Sequence, residues 1–561
     1  MTHEEQQAIH EALRKKGIRY TPTSEQFSIY RWIRFGSGNL VIRAVAGAGK
    51  TTVLLGCAAL LPANVTASFI AFSNTIVNEL KTRLAGTPVR PTTIHSAGRT
   101  TLCKRIAYPK VDNLKHRKIA EILMKDNAYY ANIPDLHPYT MAIWKLCEKA
   151  RLTLTDYTNP EELIMLADRF NIDLPKITVR RGREEIEKID ERIFELVRRT
   201  LVMGAVKARD EAVIDFTDMI WLPYHWHIEP DPSDWLFIDE CQDLSNLARA
   251  FIAMMLTPDT RAVAVGDPRQ AIMEFAGAAS DSFDQVKLVL NAQELPLMDC
   301  FRCGYEFIKL ANVYVPEIRA AKGAIPGEII YQTEDQLTTI AQRGDLIVCR
   351  RTAPLIENCI KLIGSGIPAR VRGRDVATSL IELLNKIGKV RGFKPLQFLK
   401  FMEEYQRATS EKLAQKEDSE EQIQALGDKC AALEAIYLRH LPPTIKAFED
   451  SISALFADEA DNPPIWLSSI HRAKGLEADR VMILHYDALP MKFKKQSVEQ
   501  VLQENNITYV ALTRAKKVLI LIVDKLPAPK APEVIIVERV APLQLPAQMP
   551  LLLPANVPDK I

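Results

Sequence analysis

The stretch AVAGAGKTTVLL, residues 44–55, sets small residues and a single lysine between two apolar segments. This pattern predicts a strand, a glycine-bearing loop and a helix. Glycines let backbone N–H groups point into a concavity around phosphate groups, while Lys50 adds positive charge and Thr51 offers a hydroxyl ligand for Mg²⁺. Ala44 stands where the strict pattern has its first glycine, so a second element has to support the prediction.

That second element is WLFIDECQD, residues 235–243, an apolar run that ends in two carboxylates. Open α/β sheets bind ligands at the C-terminal ends of their strands, which is where Asp239 and Glu240 are predicted to lie. We expect Asp239 to hold Mg²⁺ through water and Glu240 to orient and deprotonate the attacking water. Strand ends attract acidic residues for other reasons too, but the loop and the pair together predict a P-loop nucleoside triphosphatase.

Hydrolysis also needs groups that sense the γ-phosphate and neutralise the transition state. The run AVAVGDPRQAI predicts a third buried strand, and Gln270 behind it is a candidate sensor. Arg302 in CFRCG and Arg514 in YVALTRAKK are candidate arginine fingers. Taken singly, each of these residues also fits an ordinary surface position.

Apolar, β-branched runs that end in a turn or a charged cluster indicate buried parallel strands in α/β layers. They form one group before residue 300 and another after residue 340: LVIRAV, ASFIAFS, DWLFIDE, RAVAVGD, DLIVCRR and DRVMILH. Residues 101–212 and 373–464 are charge-rich and helical in pattern, and both are predicted to be insertions. The second insertion predicts a helical hairpin or short coiled coil. A chain of 561 residues accommodates two or more cores of this kind.

Composition constrains the function only weakly. The chain has 72 Lys+Arg against 70 Asp+Glu, a balance that neither requires nor excludes a nucleic acid. Its nine cysteines are scattered, as expected in a reducing compartment, and the lone pair Cys300 and Cys303 is interpreted as incidental, without zinc. The first residues lack the apolar core of a signal peptide and no apolar run can span a bilayer, so we expect a cytoplasmic protein without a membrane partner.

The end of the chain has a different composition. Residues 526–561 are rich in proline, alanine and leucine. Such a segment is typical of an extended arm that packs on the body or binds a protein partner, and equally of a disordered end. Both readings stay open.

Five motifs in this order and spacing resemble the signatures of UvrD/Rep-type superfamily 1 DNA helicases: AVAGAGKTT, FIDECQDLS, VGDPRQAIMEFAGA, SIHRAKGLEADRV and YVALTRAKK. CFRCG and GDPRQAI are also similar to the helicase part of F-box DNA helicases. The resemblance spans about residues 20–525. It implies two RecA-like domains with ATP between them, each carrying a mostly helical insertion. The first would comprise 1–100 and 213–299 with insertion 101–212, and the second 300–372 and 465–525 with insertion 373–464.

The resemblance also assigns a nucleotide site. Gln26 would read adenine and Phe301, where the family usually has tyrosine, would stack on the base, although a core aromatic fits that position equally well. The segment with Gly475 and Glu477 would approach the ribose and phosphates from the second domain. The residues implied for the phosphate loop itself are Ala46, Gly47, Ala48, Gly49, Lys50, Thr51 and Thr52.

For DNA, the family uses loops across the tops of both domains, where phosphate contacts alternate with aromatic stacking. The residues at matching positions are Phe72, Asn74, Thr93, His95, Phe275, Arg350 and His471. After the third motif this chain has Met273, Phe275 and Ala276 where the family often has Tyr, Trp and Arg. One aromatic and one charge are therefore missing. Asp215 and Asp218 of DFTDMI are interpreted as structural.

These patterns lead to the hypothesis of an ATP- and Mg²⁺-dependent motor that moves along single-stranded DNA, 3′ to 5′ by resemblance, and unwinds duplexes with a single-stranded tail. Translocation is better supported than processive unwinding, since no aromatic follows the last motif to tip a strand-separating hairpin. Two alternatives remain: a translocase that strips proteins from DNA, and a nucleotide-controlled binding switch. RNA stays open as the track.

Overall fold

The computed structural model describes residues 3–16, 18–130, 133, 135–181, 184–272, 281–414, 420–456, 464–493 and 496–526. Two six-stranded sheets organise these residues, with helices packed around them. Among the helices of these ranges, none combines the length and the hydrophobicity that crossing a bilayer requires.

The N-terminal part alternates helices and strands. Its elements are α1 His3–Lys15, α2 Ser24–Phe35, β1 Asn39–Ala44, α3 Lys50–Ala59, β2 Ala67–Ala71, α4 Asn74–Arg83, β3 Val89–Thr93 and α5 Ile94–Leu102. Local sequence sets several starts: Thr23 and Gln26 form a reciprocal capping box on α2, and Ser73 caps α4. The strands are largely buried, as the apolar runs predict.

The first insertion follows. Its elements are β4 Lys110–Val111, α6 Lys115–Lys125, α7 His137–Thr153, α8 Pro160–Arg169, β5 Lys176–Arg181, β6 Glu184–Ile189 and α9 Arg192–Glu211. This segment is mostly helical, and it also contains an antiparallel hairpin formed by β5 and β6. Because a two-stranded hairpin does not need to bury both of its faces, its sequence is rich in charged residues and does not show the apolar pattern that predicted the other strands.

The chain then returns to the first sheet. The elements are β7 Val213–Ile214, α10 Asp218–His225, β8 Trp235–Ile238, α11 Asn246–Met254, β9 Arg261–Gly266, α12 Ser282–Val289 and β10 Ala292–Leu297. The first sheet has the order β10-β1-β9-β8-β2-β3, and all its pairs are parallel. Because β1, β9 and β8 are neighbours, the loops that follow them meet at one edge.

The second sheet is built after residue 300. Its segment begins with β11 Asp299–Cys300, α13 Tyr305–Ala311, β12 Arg319–Ala320, β13 Glu328–Gln332, α14 Leu337–Ile340, β14 Leu346–Cys349, α15 Ala353–Gly364 and β15 Ala369–Val371. The second insertion consists of α16 Arg374–Gly388, α17 Phe398–Leu413, α18 Glu420–His440 and α19 Ile445–Leu455. The last elements are β16 Ile465–Ser469, α20 Ile470–Ala473, β17 Ala478–Ile483, α21 Val498–Leu512 and β18 Ala515–Ile522.

The second sheet is also parallel throughout, in the order β13-β18-β17-β14-β16-β15. The α/β class with parallel sheets is thus confirmed, and each apolar run singled out in the sequence contains a strand. Asp428 of α18 accepts the Thr352 and Ala353 N–H groups at 2.7 and 3.1 Å, which caps α15 from within the insertion. The predicted tail from residue 527 onward lies outside the described residues.

A buried ionic cluster joins helices α6 and α7 to the start of α10. Arg151 lies 2.7 Å from Asp215 and 2.6 Å from Asp218, and Lys115 pairs with Asp218 while His116 pairs with Asp215. One histidine and two carboxylates resemble a metal-ligand set, but two cations already occupy those carboxylates. The interpretation of both aspartates as structural agrees with these contacts.

Candidate nucleotide site and nucleic-acid interface

The loop between β1 and α3 has the backbone of a phosphate cradle. Gly47 and Gly49 have φ values of 68° and 77°, and Gly49 precedes α3 without any side-chain cap. The first N–H groups of α3 are therefore available for an anion. A Cβ atom at position 47 would lie 2.7 Å from Cβ of Arg302 and 2.8 Å from Sγ of Cys300. Only glycine fits there, because a segment from beyond the first sheet packs on the loop.

Lys50 and Thr51 meet the two acidic residues that follow β8. Lys50 Nζ lies 3.0 Å from Glu240 Oε2, and the Thr51 hydroxyl donates to Asp239 Oδ2 at 2.8 Å. Glu240 has a φ of 51°, an unusual value for a residue with a side chain, and this turn aims its carboxylate at the lysine. A hydroxyl beside a carboxylate is an oxygen donor set that fits Mg²⁺.

The electrostatics separate the two carboxylates. Burial, and then the charge of Glu240, raise the pKa of Asp239. Burial also opposes ionisation of Glu240, but Lys50, Lys474 and the Gln242 amide outweigh it and lower its pKa. Glu240 is therefore the carboxylate held ionised beside the lysine.

The loop after β9 is tied to the same edge. Gln270 donates through Nε2 to Asp267 Oδ2 at 2.7 Å, and the Asp267 N–H donates to Gln242 Oε1 at 3.0 Å. Gln242 in turn donates to Glu240 Oε2 at 2.6 Å. A hydrogen-bonded chain thus runs from the candidate sensor to the candidate general base.

Two residues of the second sheet's part contact this edge, and the sequence interpretation assigned neither a role. Lys474 Nζ lies 2.6 Å from Asp243 Oδ1. It also donates a hydrogen bond to the Gln270 carbonyl at 2.5 Å. Tyr509 OH accepts the Ala46 N–H at 2.7 Å and donates to Asp267 at 3.3 Å. Both residues stand inside motifs that the sequence singled out, and that position was the available signal.

Phe301 and Arg302 flank the phosphate loop. The Phe301 N–H donates to the Gly47 carbonyl at 2.9 Å, while its side chain is 53% exposed, which suits stacking on a base better than a place in the core. Arg302 Nε lies 2.6 Å from Glu477 Oε2, and its Nη1 donates to the Thr513 carbonyl at 3.4 Å.

Arg514 is buried, with a relative exposure of 1%. Its guanidinium donates to the carbonyls of Val510 at 2.8 Å and Leu476 at 3.2 Å, and to the Thr513 hydroxyl at 3.1 Å. Burial, and then the neighbouring charge of Arg302, lower its pKa to about 10. Arg514 thus stays charged at neutral pH among hydrogen-bond partners that are neutral.

Other predicted nucleotide residues lie around this edge in different ways. Gln26 is buried, and its Oε1 accepts the Thr23 N–H at 3.0 Å as part of the α2 capping box. Gly475 has a φ of 84°, and Glu477 pairs with both Arg302 and Lys516. Ala46 and Ala48 are buried in the loop, and Thr52 lies in the first turn of α3.

The predicted DNA residues of the part built on the first sheet lie at the end of β3 or just after β2 and β3, two strands that pair in parallel with Ala71 opposite Thr93. Phe72 is 60% exposed, and Asn74 is exposed at the start of α4. Thr93 caps α5 by accepting the Ser96 N–H at 3.1 Å, so its hydroxyl already has a structural task.

His95 stacks on Phe216, with ring centroids 3.9 Å apart and an interplanar angle of 23°. Phe216 is 52% exposed and was not assigned in the sequence, although it lies between the two buried aspartates of DFTDMI. Burial lowers the pKa of His95 to about 4, so the ring is neutral at physiological pH. The pair offers an aromatic surface rather than a charge. Phe275 lies outside the described residues.

Arg350 and His471 follow β14 and β16, which are in register with Cys349 opposite Ser469. Arg350 forms an ion pair with buried Glu504 at 2.7 Å. Burial, and then the charge of Arg350, lower the pKa of His471 to about 3. The structure therefore brings these two predicted residues together, with the arginine held by a carboxylate.

Comparison with known proteins agrees with this geometry. Residues 26–289 match the family model of the UvrD/REP helicase N-terminal domain. A Schizosaccharomyces pombe (strain 972 / ATCC 24843) protein named F-box DNA helicase protein 1 is 28% identical over 306 residues, which cover 51% of this chain and 34% of that protein. The Gallus gallus protein F-box DNA helicase 1 is 23% identical over 307 residues, covering 51% and 29%. The matched region thus spans about a third of each relative.

Proposed function

We propose that this chain is an ATP-dependent DNA motor of the UvrD-like superfamily 1 helicases, on the strength of the match of residues 26–289 to the UvrD/REP helicase N-terminal domain and of the two F-box DNA helicases that are similar to half of the chain. It binds ATP and Mg²⁺, moves along single-stranded DNA from 3′ to 5′, and unwinds duplexes that carry a single-stranded tail. Both relatives are named as DNA helicases, and we propose the same activity for this chain. The division into two RecA-like domains with insertions, at the boundaries predicted above, belongs to the same proposal.

One observation carries it: charged groups from both sheets converge beside the phosphate loop. Lys50 and Glu240 belong to the part built on the first sheet, while Lys474 and the hydroxyl of Tyr509 come from the part built on the second. The charge of Glu240 also acts on Arg514. A binding site divided in this way is completed only when the two parts close. This arrangement supports coupling between hydrolysis and movement.

The roles within the site follow from the contacts. Thr51 and Asp239 hold Mg²⁺, which neutralises charge on the phosphates when bound. Lys50 binds the β- and γ-phosphates, and Glu240 takes the proton of the attacking water. Gln270 senses the γ-phosphate once it leaves Asp267. Arg302 and Arg514 neutralise the transition state.

Recognition of the nucleoside uses groups on either side of the loop. Phe301 stacks on the base, Gln26 offers its side-chain amide to adenine, and Gly475 and Glu477 approach the ribose. The exposure of Phe301 beside Gly47 supports the first of these roles.

DNA runs over the strand ends that carry Phe72 and the His95–Phe216 stack, and on to Arg350 and His471. The exposed rings of Phe72 and Phe216 bind bases of any sequence by stacking, whereas cations contact the phosphates. Asn74, Thr93 and Phe275 complete the proposed set from the sequence. We also propose the C-terminal segment as a site for a protein partner.

ATP turnover with and without single-stranded DNA tests the proposal, together with unwinding of duplexes that carry a 3′ or a 5′ tail. The expected result is DNA-stimulated turnover and unwinding of the 3′-tailed duplex. Displacement of a DNA-bound protein without strand separation would instead identify a stripping translocase. ATP turnover that does not respond to DNA would indicate a nucleotide-controlled switch. Stimulation of turnover by RNA and not by DNA would identify RNA as the nucleic acid along which the protein moves.

A further inference from the structure

The turn that carries Phe301 and Arg302 also carries two cysteines with touching thiols. Cys300 and Cys303 are 0% and 2% exposed, and their side chains hydrogen-bond to each other. A C-x-x-C turn with its sulfurs in contact brings a disulfide within reach of small movements. None of the roles assigned above uses these thiols.

Each cysteine contacts a different wall of the nucleotide site. Cys300 Sγ lies against Gly47, so closely that a Cβ atom there would be 2.8 Å away. Cys303 Sγ also lies 3.6 Å from the Thr513 carbonyl, immediately before Arg514, and its single S–H proton can bind that oxygen in place of Cys300. The dithiol therefore connects the phosphate loop to the turn that presents a candidate arginine finger.

The local environment distinguishes Cys300 from the other buried thiols. The hydrogen bond from Cys303, and then backbone N–H groups and Arg302, lower the pKa of Cys300 to about 7. Burial raises the pKa of Cys147, Cys349 and Cys359 to about 12. Among the buried thiols, Cys300 therefore has the greatest tendency to form the thiolate, the reactive form of a cysteine.

We propose that Cys300 and Cys303 form a peroxide-sensitive modification site, whose reversible disulfide switches off the nucleotide site. The Cys300 thiolate attacks one oxygen of hydrogen peroxide, the O–O bond breaks, and hydroxide leaves with a proton to give a sulfenic acid and water. The Cys303 sulfur then attacks the sulfenic sulfur, and its proton and the departing hydroxyl form a second water. Two thiols and one H₂O₂ thus yield one disulfide and two water molecules.

The disulfide acts on the site through geometry. Forming the S–S bond removes the thiol proton that Cys303 donates to Thr513, and it draws together the turn that holds Phe301 and Arg302. Small displacements of positioning groups cost about 10²-fold in rate. We therefore expect ATP turnover to fall roughly tenfold to a hundredfold on oxidation and to recover with a dithiol reductant.

The effect on turnover rests on the proposed function, whereas disulfide formation does not. The experiment treats the full chain with hydrogen peroxide, blocks free thiols, and maps the disulfide by peptide mass spectrometry alongside ATP turnover. Cys303→Ser keeps a donor for Thr513 but cannot form the bond, and Cys103→Ser removes an exposed thiol as the matched control. Each oxidised sample is compared with its own reduced form.

The proposal expects a Cys300–Cys303 disulfide, reversible loss of turnover, and protection in Cys303→Ser but not in Cys103→Ser. It is overturned if mapping finds both thiols free, or if the disulfide forms while turnover stays unchanged. Disulfide mapping is done on the unsubstituted chain, so its result does not depend on whether a variant folds. A reduced chain without turnover would count against the proposed motor, whereas the mapped disulfide would still report on the modification site.

Discussion

The ammonium of Lys474 lies 2.6 Å from both carboxylate oxygens of Asp243, and these residues belong to the parts built on different sheets. Their side chains are only 8% and 4% exposed. Through Gln242, this ion pair is one step from Glu240. The ion pair between the two parts is therefore linked by hydrogen bonds to Glu240, the candidate general base.

Substitution Lys474→Met should lower DNA-stimulated ATP turnover by roughly tenfold to a hundredfold, because Glu240 loses a support from the opposite wall. Nucleotide affinity should change much less, since Lys50 and the loop remain. Steady-state kinetics separate the two parameters, and Lys474→Arg should recover part of the rate. Lys517→Met, at an exposed ion pair with Asp479, is the matched control. Equal rates for the two methionine variants would contradict the role of Lys474.

Substitution Glu240→Gln should leave nucleotide binding largely intact while turnover falls by about 10²–10⁴-fold, the usual contribution of general acid–base catalysis. Lys50→Ala should instead weaken binding, because the phosphates lose the positive charge of the ammonium group. Fluorescent nucleotide titration and a phosphate-release assay distinguish these outcomes. Retained turnover in Glu240→Gln would overturn the assignment of the general base.

Substitution Arg514→Ala should cost about 10³-fold or more in hydrolysis if the residue is an arginine finger. A loss near tenfold would assign it a positioning role instead. Because Arg514 is buried, thermal unfolding of the variant has to be measured beside its turnover. Arg514→Lys should recover little activity, since an ammonium cannot reproduce the planar fork of donors.

Substitution Phe216→Ala should weaken single-stranded DNA binding by about 1–3 kcal/mol, the typical contribution of one aromatic–base stack. Phe216→Tyr keeps the ring and should bind almost normally. Fluorescence anisotropy at one fixed salt concentration measures both. Phe35→Ala removes a ring of similar exposure, 55% against 52%, from the end of α2. Indistinguishable affinities for the two alanine variants would remove Phe216 from the interface.

Substitution Arg151→Met should destabilise the fold by about 3–5 kcal/mol, because it leaves Asp215 and Asp218 buried with fewer cations. Arg209→Met breaks a solvent-exposed pair with Asp210 and should leave the stability nearly unchanged. Denaturant unfolding of both variants checks the contrast. A small effect at Arg151 would mean that the cluster relaxes or hydrates when a cation is removed.

Much of the first sheet's edge was predictable from local pattern. Apolar runs that end in glycine or acidic residues identify β1, β8 and β9, and the structure places their loops side by side because these strands are neighbours. The contact of Lys50 with Glu240 follows from that order. Their chemical roles remain predictions.

The hydrogen-bond and ion-pair partners of the predicted site residues were less predictable from the sequence. The Thr93 hydroxyl accepts a hydrogen bond that caps α5. Arg350 forms an ion pair with Glu504, which lies far from it in the sequence. The β5–β6 hairpin hid in a charge-rich segment, since exposed strands carry little hydrophobic signal. Each case depends on a partner that local sequence does not specify.

The sequence by itself determined the parallel α/β layers and the residue types of a phosphate-binding edge. The reason is that the burial of a strand and the chemistry of the loop after it depend on a few consecutive residues. Only the tertiary structure decided which distant groups face that edge: Tyr509 on Ala46, Lys474 on Asp243, and the Cys300–Cys303 turn on Gly47. The physical reason is that such contacts arise from packing two sheets against each other, and packing depends on the whole chain.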